Sequence, residues 1–389
     1  MPALPSSLIT SLSNAPAAVG APASAGGLLT ALSALPDPRA RRGVRHALAV
    51  VVTAAICAVI AGYRSYTAIG EWVADLPAET AAALGIDVGR RPSEAMIRRL
   101  LQALDPDRLT AVVGIWLAAK NPAPTGTRRA LAVDGKTLRG SRTGDTAARH
   151  VLAVCDQHSG VVVASTDVDG KTNEITRFQP LLDQIGDLRE AVITVDALHC
   201  QRDHVDYLAE RGAHWILTVK ANQPTLHQQL AALPWRAVPD ATRDTGRGHG
   251  RREIRTLKVL TIQAGISFPH AAQALQIRRR RHHLDQPKRF TTETVYAITD
   301  LRVHEAKPVQ LAAWIRRHWH IENKIHWVRD VTYDEDRSQI RTGTGPQVMA
   351  AIRNAAIGAL RTVGVTNIAA ANRYHARDSS RPLTVLGIA

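Results

Sequence analysis

Arg129-Ala130-Leu131-Ala132-Val133-Asp134-Gly135-Lys136 opens the part of the chain that decides the fold. Its short apolar run, closed by Gly-Lys, predicts a buried strand with an aspartate near its end. His150 to Cys155 predicts a second strand, and Gly160 to Val168, rich in β-branched residues, a third. The connections are too short for crossovers, so the three form an antiparallel meander. Glu174 to Gln184 reads as a helix. Ala191-Val192-Ile193-Thr194-Val195 is a buried strand ending at Asp196. A helix over 202–211 and a strand over 214–219 follow.

Upstream, the chain changes character. Residues 1–27 are rich in Ala, Pro, Ser and Gly with almost no charge, and are expected to be a flexible arm. A short helix near 26–35 and helices over 46–62, 65–75, 78–84, 93–103 and 106–120 make 28–121 an all-helical N-terminal domain. Ser93 and Asp105 are the expected helix caps, and Pro106 stands at a first helical position. The Pro- and Gly-containing stretch 121–126 is the linker.

Downstream, 221–300 reads as a mostly β-rich insertion, with strands over 252–262 and 293–298 and a block of four arginines and two histidines at 278–283. Gly246-Arg247-Gly248-His249-Gly250 is expected to be a flexible basic turn. One helix is expected over 308–329, another over 345–363, and a polar, frayed tail over 366–389. The order strand–strand–strand–helix–strand–helix–strand, then a late helix, is that of a ribonuclease H-like fold. The fold class is therefore α/β, with a catalytic domain over 128–365.

Three acids stand out in this order: Asp134 on the first strand, Asp196 ending the fourth, and Glu322 on the late helix. In a ribonuclease H-like sheet the first and fourth strands are neighbours and the late helix crosses near their ends, so the carboxylates converge. Alone, three such groups repel one another. Two divalent ions offset that repulsion, and hard oxygen ligands suit Mg²⁺ or Mn²⁺. Such a pair of ions activates water and neutralises charge in phosphodiester cleavage.

Around Glu322, a helical wheel places His318, Trp319, His326 and Arg329 on the same side. Core packing is the favoured reading of Trp319 and Trp327, ahead of base stacking. Lys136 and Arg139 are expected beside the scissile phosphate, and Lys171 and Lys220 in loops that contact DNA, the latter with Asn222 and Gln223. His199 is open between proton transfer, DNA contact and a structural hydrogen bond. Asp334, Glu335 and Asp336 read as a solvated acidic loop.

Lys and Arg total 49 against 34 acids, a formal charge of +15, which points to a polyanionic partner. Double-stranded DNA fits better than a membrane. The longest uncharged apolar run, 47–62, falls short of the roughly 20 residues that span a bilayer. Three cysteines without a C-x-x-C exclude a disulfide framework and a cysteine zinc site. A soluble, cytoplasmic, nucleoid-associated protein is expected. Gly135-Lys136-Thr137 and Gly170-Lys171-Thr172 lack the glycine a P-loop needs five residues earlier.

Several blocks in one order resemble the DDE transposases of bacterial insertion sequences, in the branch of the H-repeat-associated proteins. They are LPDPRARRGVRH at 35–46, VDGKTLRGS at 133–141, VDGKTNEIT at 168–176, TVDALHCQR at 194–202, VKANQP at 219–224, GRGHGRRE at 246–253, HWHIENKIHWVRDVTYDED at 318–336 and RTGTGPQVMAAIRNAAIG at 341–358. The resemblance implies Asp134, Asp196 and Glu322 as a triad binding two metal ions. It implies cleavage at the terminal inverted repeats of an element, transfer of the freed 3′ hydroxyl to target DNA, and a homodimer in the synaptic complex. Ile315, His318 and Arg329 occupy the places of the superfamily's tyrosine, arginine and lysine, which makes His318 and Arg329 the candidates for phosphate contact. A catalytically inactive, domesticated DNA-binding relative is the alternative.

Overall fold

A computed structural model describes residues 27–42, 44–122, 124–168, 174–248, 250–286 and 289–388. Nearly all of the expected arm lies outside them, as does Lys171. The β-propensity read between 129 and 219 becomes one side of a nine-stranded sheet. β1 (Ala130–Leu138), β2 (Arg149–Asp156) and β3 (Val162–Val168) form the antiparallel meander. β4 (Val192–Val195) joins β1 in parallel, and β5 (His214–Val219) joins β4 in parallel. Val133 lies opposite Val195. Asp134 and Asp196 are the next residues on these two adjacent strands.

The insertion does not leave the sheet. β6 (Thr242–Gly248), β7 (Arg251–Thr261), β8 (Gln273–His283) and β9 (Thr291–Thr299) are antiparallel, and β9 pairs with β5. The full strand order is β3-β2-β1-β4-β5-β9-β8-β7-β6. Gly246 and Gly248, expected in a turn, lie in β6, because pairing with β7 supplies what their weak propensity lacks.

The N-terminal helices are α1 (Leu28–Leu32), α2 (Leu48–Ile60), α3 (Tyr66–Ala74), α4 (Ala78–Ala83), α5 (Glu94–Leu101) and α6 (Pro106–Lys120). The expected caps are present. The Ser93 hydroxyl accepts from the Met96 N–H, and the Asp105 carboxylate from those of Asp107 and Arg108. These helices share one continuous hydrophobic core with the sheet and with α11 (Gly345–Thr362). α2 is buried on all sides, which explains its uninterrupted apolar run.

α6 lies directly on β3, and Gly114 makes that approach possible. A Cβ there would stand 2.8 Å from the Val163 Cα and 3.0 Å from the Val162 carbonyl oxygen. Both are backbone atoms of β3, an edge strand held in register by β2, and have little room to yield. Gly114→Ala is expected to destabilise the protein by about 1–3 kcal/mol through overpacking. The urea midpoint reads this, with m unchanged.

Two expectations are corrected here. The segment expected to fray folds into α12 (Ile368–His375) and α13 (Arg381–Leu386). Ile368, Leu383 and Leu386 are buried in the main core, so apolar burial offsets the poor local propensity. The late helix is also not a single α-helix. α10 (Pro308–His318) begins on Pro308, with Gln310 Oε1 accepting from the Lys307 N–H, and continues as π-helical turns over Ile321–His326 and Val328–Thr332.

Candidate active site

Parity along the strands aims the two aspartates the same way. Ala130 and Val192 pack under Leu311 and Trp314 of α10. Asp134 and Asp196, each four residues on, therefore point to the side of the sheet that α10 covers. α10 ends there, with His318 Nδ1 3.0 Å from Thr194 Oγ1. The π turn then brings Glu322 and His326 over β1. Single ligand atoms of Asp134, Glu322 and His326 lie within 4.8 Å of one another. His326 Nδ1 is 3.5 Å from Asp134 Oδ2.

Each aspartate is tied by one oxygen. Asp134 Oδ1 accepts from the Gly135 N–H at 3.0 Å, and Asp196 Oδ1 from the Leu198 N–H at 2.9 Å. Asp134 Oδ2 is buried and has no hydrogen-bond partner among the described residues. Burial first, then the charges of Glu322 and Asp196, push the Asp134 carboxyl up to about 8. That is the cost of bringing these acids together with nothing positive between them. A carboxylate oxygen with no donor, the Glu322 carboxylate and an imidazole form a donor set that suits a hard or borderline divalent cation, and Asp196, close enough to raise Asp134, lies outside that three-residue group.

The strand that holds Asp134 and the loop that holds Asp196 are braced from beneath. Glu174, the first residue of α7 (Glu174–Asp183), is buried with Oε1 2.7 Å from His150 Nε2 and Oε2 3.4 Å from His199 Nε2. Burial works to raise Glu174, but the hydrogen bond from His150 and the adjacent His199 imidazole outweigh it and hold the carboxyl at about 2. His204, on α8 (Arg202–Glu210), stacks on Phe178 at 4.1 Å. This group explains the glycine of the VDGK block: a Cβ at Gly135 would meet both Glu174 Oε1 and His150 Nε2 at 2.7 Å. His199 is buried beside Glu174, and neither of its ring nitrogens has a hydrogen-bond partner among the described residues. Asn222 donates to the Ala197 carbonyl at 2.6 Å and Gln223 to the Cys200 carbonyl at 2.8 Å. Both therefore hold the Asp196 loop, Asn222 while remaining exposed.

The basic residues singled out by sequence part ways. Arg139 and Lys220 are exposed, Arg139 with a long 3.4 Å pair to Asp336. Lys136 Nζ is 2.7 Å from Asp330. Burial holds His318 at about 4 despite the nearby Asp196, so it carries no charge near neutrality. Arg329 is a correction. It is 2 % exposed, and its guanidinium reaches Glu335 at 2.6 Å; Arg353 of α11 reaches the same carboxylate at 2.9 Å. The expected wheel assumed α-helical pitch. Two π turns add residues per turn and rotate Arg329 inward, away from any phosphate. The "solvated" acidic run is likewise corrected, since Glu335 is 3 % exposed. Trp319 and Trp327, expected in the core, are 58 % and 56 % exposed.

Sequence reasoning missed His326 as a neighbour of Asp134 and missed the Glu335–Arg329–Arg353 group. One signal for the latter was available. Arg353 interrupts an otherwise apolar stretch of α11, and an arginine there needs a buried partner.

The family model described as "Transposase DDE domain" matches residues 125–358, and the one described as "DDE_Tnp_1-associated" matches 29–117. The chain is 28% identical over 349 residues to "Putative transposase YncI" of Escherichia coli O157:H7, covering 86% of this chain and 87% of that one. It is 28% identical over 346 residues to "H repeat-associated putative transposase YhhI" of Escherichia coli K12, covering 86% and 90%. A solved piggyBac transposase synaptic complex with hairpin DNA aligns with 92% of this chain and 78% of its own, at 11% identity and a TM-score of 0.39. Among the described residues no helix is long and apolar enough to cross a membrane.

Proposed function

We propose a division of chemical labour among these residues from one premise: the chain belongs to the transposase DDE domain family, and its function is DNA transposition. The strand order 3-2-1-4-5, with β1, β4 and β5 parallel, supports a ribonuclease H-like catalytic domain behind an all-helical one. Asp134, Asp196 and Glu322 are the catalytic carboxylates, and they would hold two Mg²⁺ or Mn²⁺ ions, with His326 beside them. The partnerless Asp134 oxygen carries this reading. Bound there, the ions would supply Lewis-acid activation of water and charge neutralisation at the phosphate.

The chain's own part is positioning. Gly135 and Leu198 N–H groups fix one oxygen of each aspartate and leave the other turned into the site. The Glu174–His150–His199 group holds the strand ends at a fixed separation, so the carboxylates are preorganised before substrate arrives. Arg139 and Lys220, both exposed, contact phosphates, and Lys136 does so where it pairs with Asp330. Lys171 keeps the same role as an expectation of sequence. The DNA is the terminal inverted repeat and the target, held by a homodimer.

Strand transfer tests this reading. A precut duplex end is incubated with a target plasmid and Mg²⁺ or Mn²⁺. Joined product is expected with either ion, none in EDTA, and none from Glu322→Gln, whose affinity for duplex in EDTA stays normal. Nicking without joining would leave a plain nuclease. Normal duplex binding with no metal-dependent product would leave the inactive relative.

A further inference from the structure

The arginine block of 278–283 has no place in this chemistry, yet its strand register sorts its charges. β6 to β9 reach beyond the body of the sheet, and residues directly opposite one another share a face. One face carries Asp244, Arg251, Glu253, Arg255, Arg279, Arg281 and Glu293. There three acids stand against four arginines, and all of the four but Arg251 have an acidic partner. Glu253 takes both Arg255 and Arg279, the latter at 2.7 Å; Arg281 reaches Glu293 at 3.0 Å; and Asp244 pairs with Arg316 of α10. This is the face turned to α10, and so to the candidate catalytic centre.

The other face is chemically different. In the same register it presents Arg243, Arg247, Arg252, Arg278 and Arg280 among Thr245, Ile254, Thr256, Thr292 and Thr294. Five arginines stand there without one acid among the described residues. Arg243, Arg247, Arg278 and Arg280 are exposed, and Arg252 Nε has no hydrogen-bond partner among the described residues. Nearer the body this face is covered: α9 (Pro224–Ala231) and Trp235 lie over Tyr296, with His227 at 5.3 Å and Trp235 at 6.0 Å from its ring. The cover stops short of the arginines. The self-repulsion of five uncompensated cations costs stability that the opposite face avoids with three acids.

We propose that this acid-free face of the β6–β9 ribbon binds the phosphate backbone of duplex DNA, at a surface separate from the catalytic centre. The patch measures roughly 13 Å along the strands and 10 Å across them, from about 3.3 Å per residue and 4.8 Å per strand. That spans several consecutive phosphates. Hydroxyls of the interleaved threonines add donors that suit phosphate oxygens. Among the described residues the Phe290 ring beside these arginines is already stacked under Arg280 at 4.4 Å, which favours the backbone of a duplex over unstacked bases as the partner. Because the sheet separates the two faces, a duplex lying here is not the segment that reaches the acids of the same chain.

Binding in EDTA tests this independently of the metal chemistry. A labelled random-sequence duplex is titrated with full-length protein over a series of salt concentrations. For Arg243→Gln/Arg247→Gln/Arg278→Gln/Arg280→Gln the slope of log K against log salt is expected to shrink by about 3–4, from about 0.9 per lost phosphate contact. The four corresponding Arg→Lys changes are expected to restore it, since the charge remains. Arg255→Gln/Arg281→Gln, on the compensated face, is expected to leave the slope within about one unit. An unchanged slope in the quadruple Gln variant overturns the proposal. So does failure of Lys to restore the slope, or an equal loss per arginine from the compensated face. Tighter binding of a single strand than of the duplex, lost in the same quadruple variant, would overturn the choice of partner.

Discussion

Asp134→Asn is expected to lower metal-dependent cleavage of end-containing duplex by about a thousand-fold or more while making the metal-free protein more stable. The first half follows from the donor set. The buried Asp134 oxygen without a partner is the atom best placed to hold a cation shared with Glu322. An amide there offers a weaker, neutral oxygen, and loss of several kcal/mol of charge stabilisation is three decades at about 1.4 kcal/mol each. The second half follows from the sign of the shift. The folded protein holds Asp134 at about 8, above its ordinary 3.8. A carboxyl raised in the folded state contributes fully below pH 3.8, and that contribution is lost as pH rises through about 8. Asparagine never ionises, so the metal-free variant gains on the order of 1–3 kcal/mol at pH 8, after discounting for coupling among the acids. Thermal melts in EDTA read the gain. Melts with Mn²⁺ read the complement: wild type rises with the ion, and the variant does so far less. A variant that still cleaves at the wild-type rate would remove Asp134 from the chemistry.

Glu335→Gln is expected to be the most destabilising single change named for this protein, at about 3–5 kcal/mol, because it strands two buried guanidinium groups. Arg329 and Arg353 are each 2 % exposed, and Glu335 is the carboxylate they share. Burial alone would raise Glu335, but the two arginine charges outweigh it and hold the carboxyl at about 2, below its ordinary 4.5. The stabilisation is therefore present above pH 4.5 and is lost as pH falls toward 2. Urea midpoints of wild type and variant should differ most near neutrality and converge in acid. The same change reaches the site. The Glu335 bonds tie the second π turn to α11, and that turn fixes the pitch at which Glu322 and His326 meet Asp134. Cleavage by the folded variant is expected to fall about tenfold or more, as a displaced ligand shell allows. Equal stability at all pH values would show that the three charges contribute nothing net to folding.

The strand with Asp134, the strand ending in Asp196, the capped helices at Ser93 and Asp105, and the membership of Glu322 in the acidic set were all legible in the order of residues. The strands and caps depend on local signals, namely alternation, a cap, a proline at a first helical position and an acid at a strand end, whereas Glu322 is read from the order of elements and the family resemblance. Only the folded chain decided which basic residues remain free. Arg329 left the set because helical pitch is invisible to periodicity; a π turn shifts every later side chain by roughly a quarter turn, and tertiary contacts to Arg353 and Glu335 stabilise it. Arg278 to Arg281 look alike in sequence, but pairing with β7 and β9 gives alternate members acids or none, and that pairing is set by partners far along the chain. The last two helices formed for the same reason: their burial comes from α2 and α11, whose presence no local window contains.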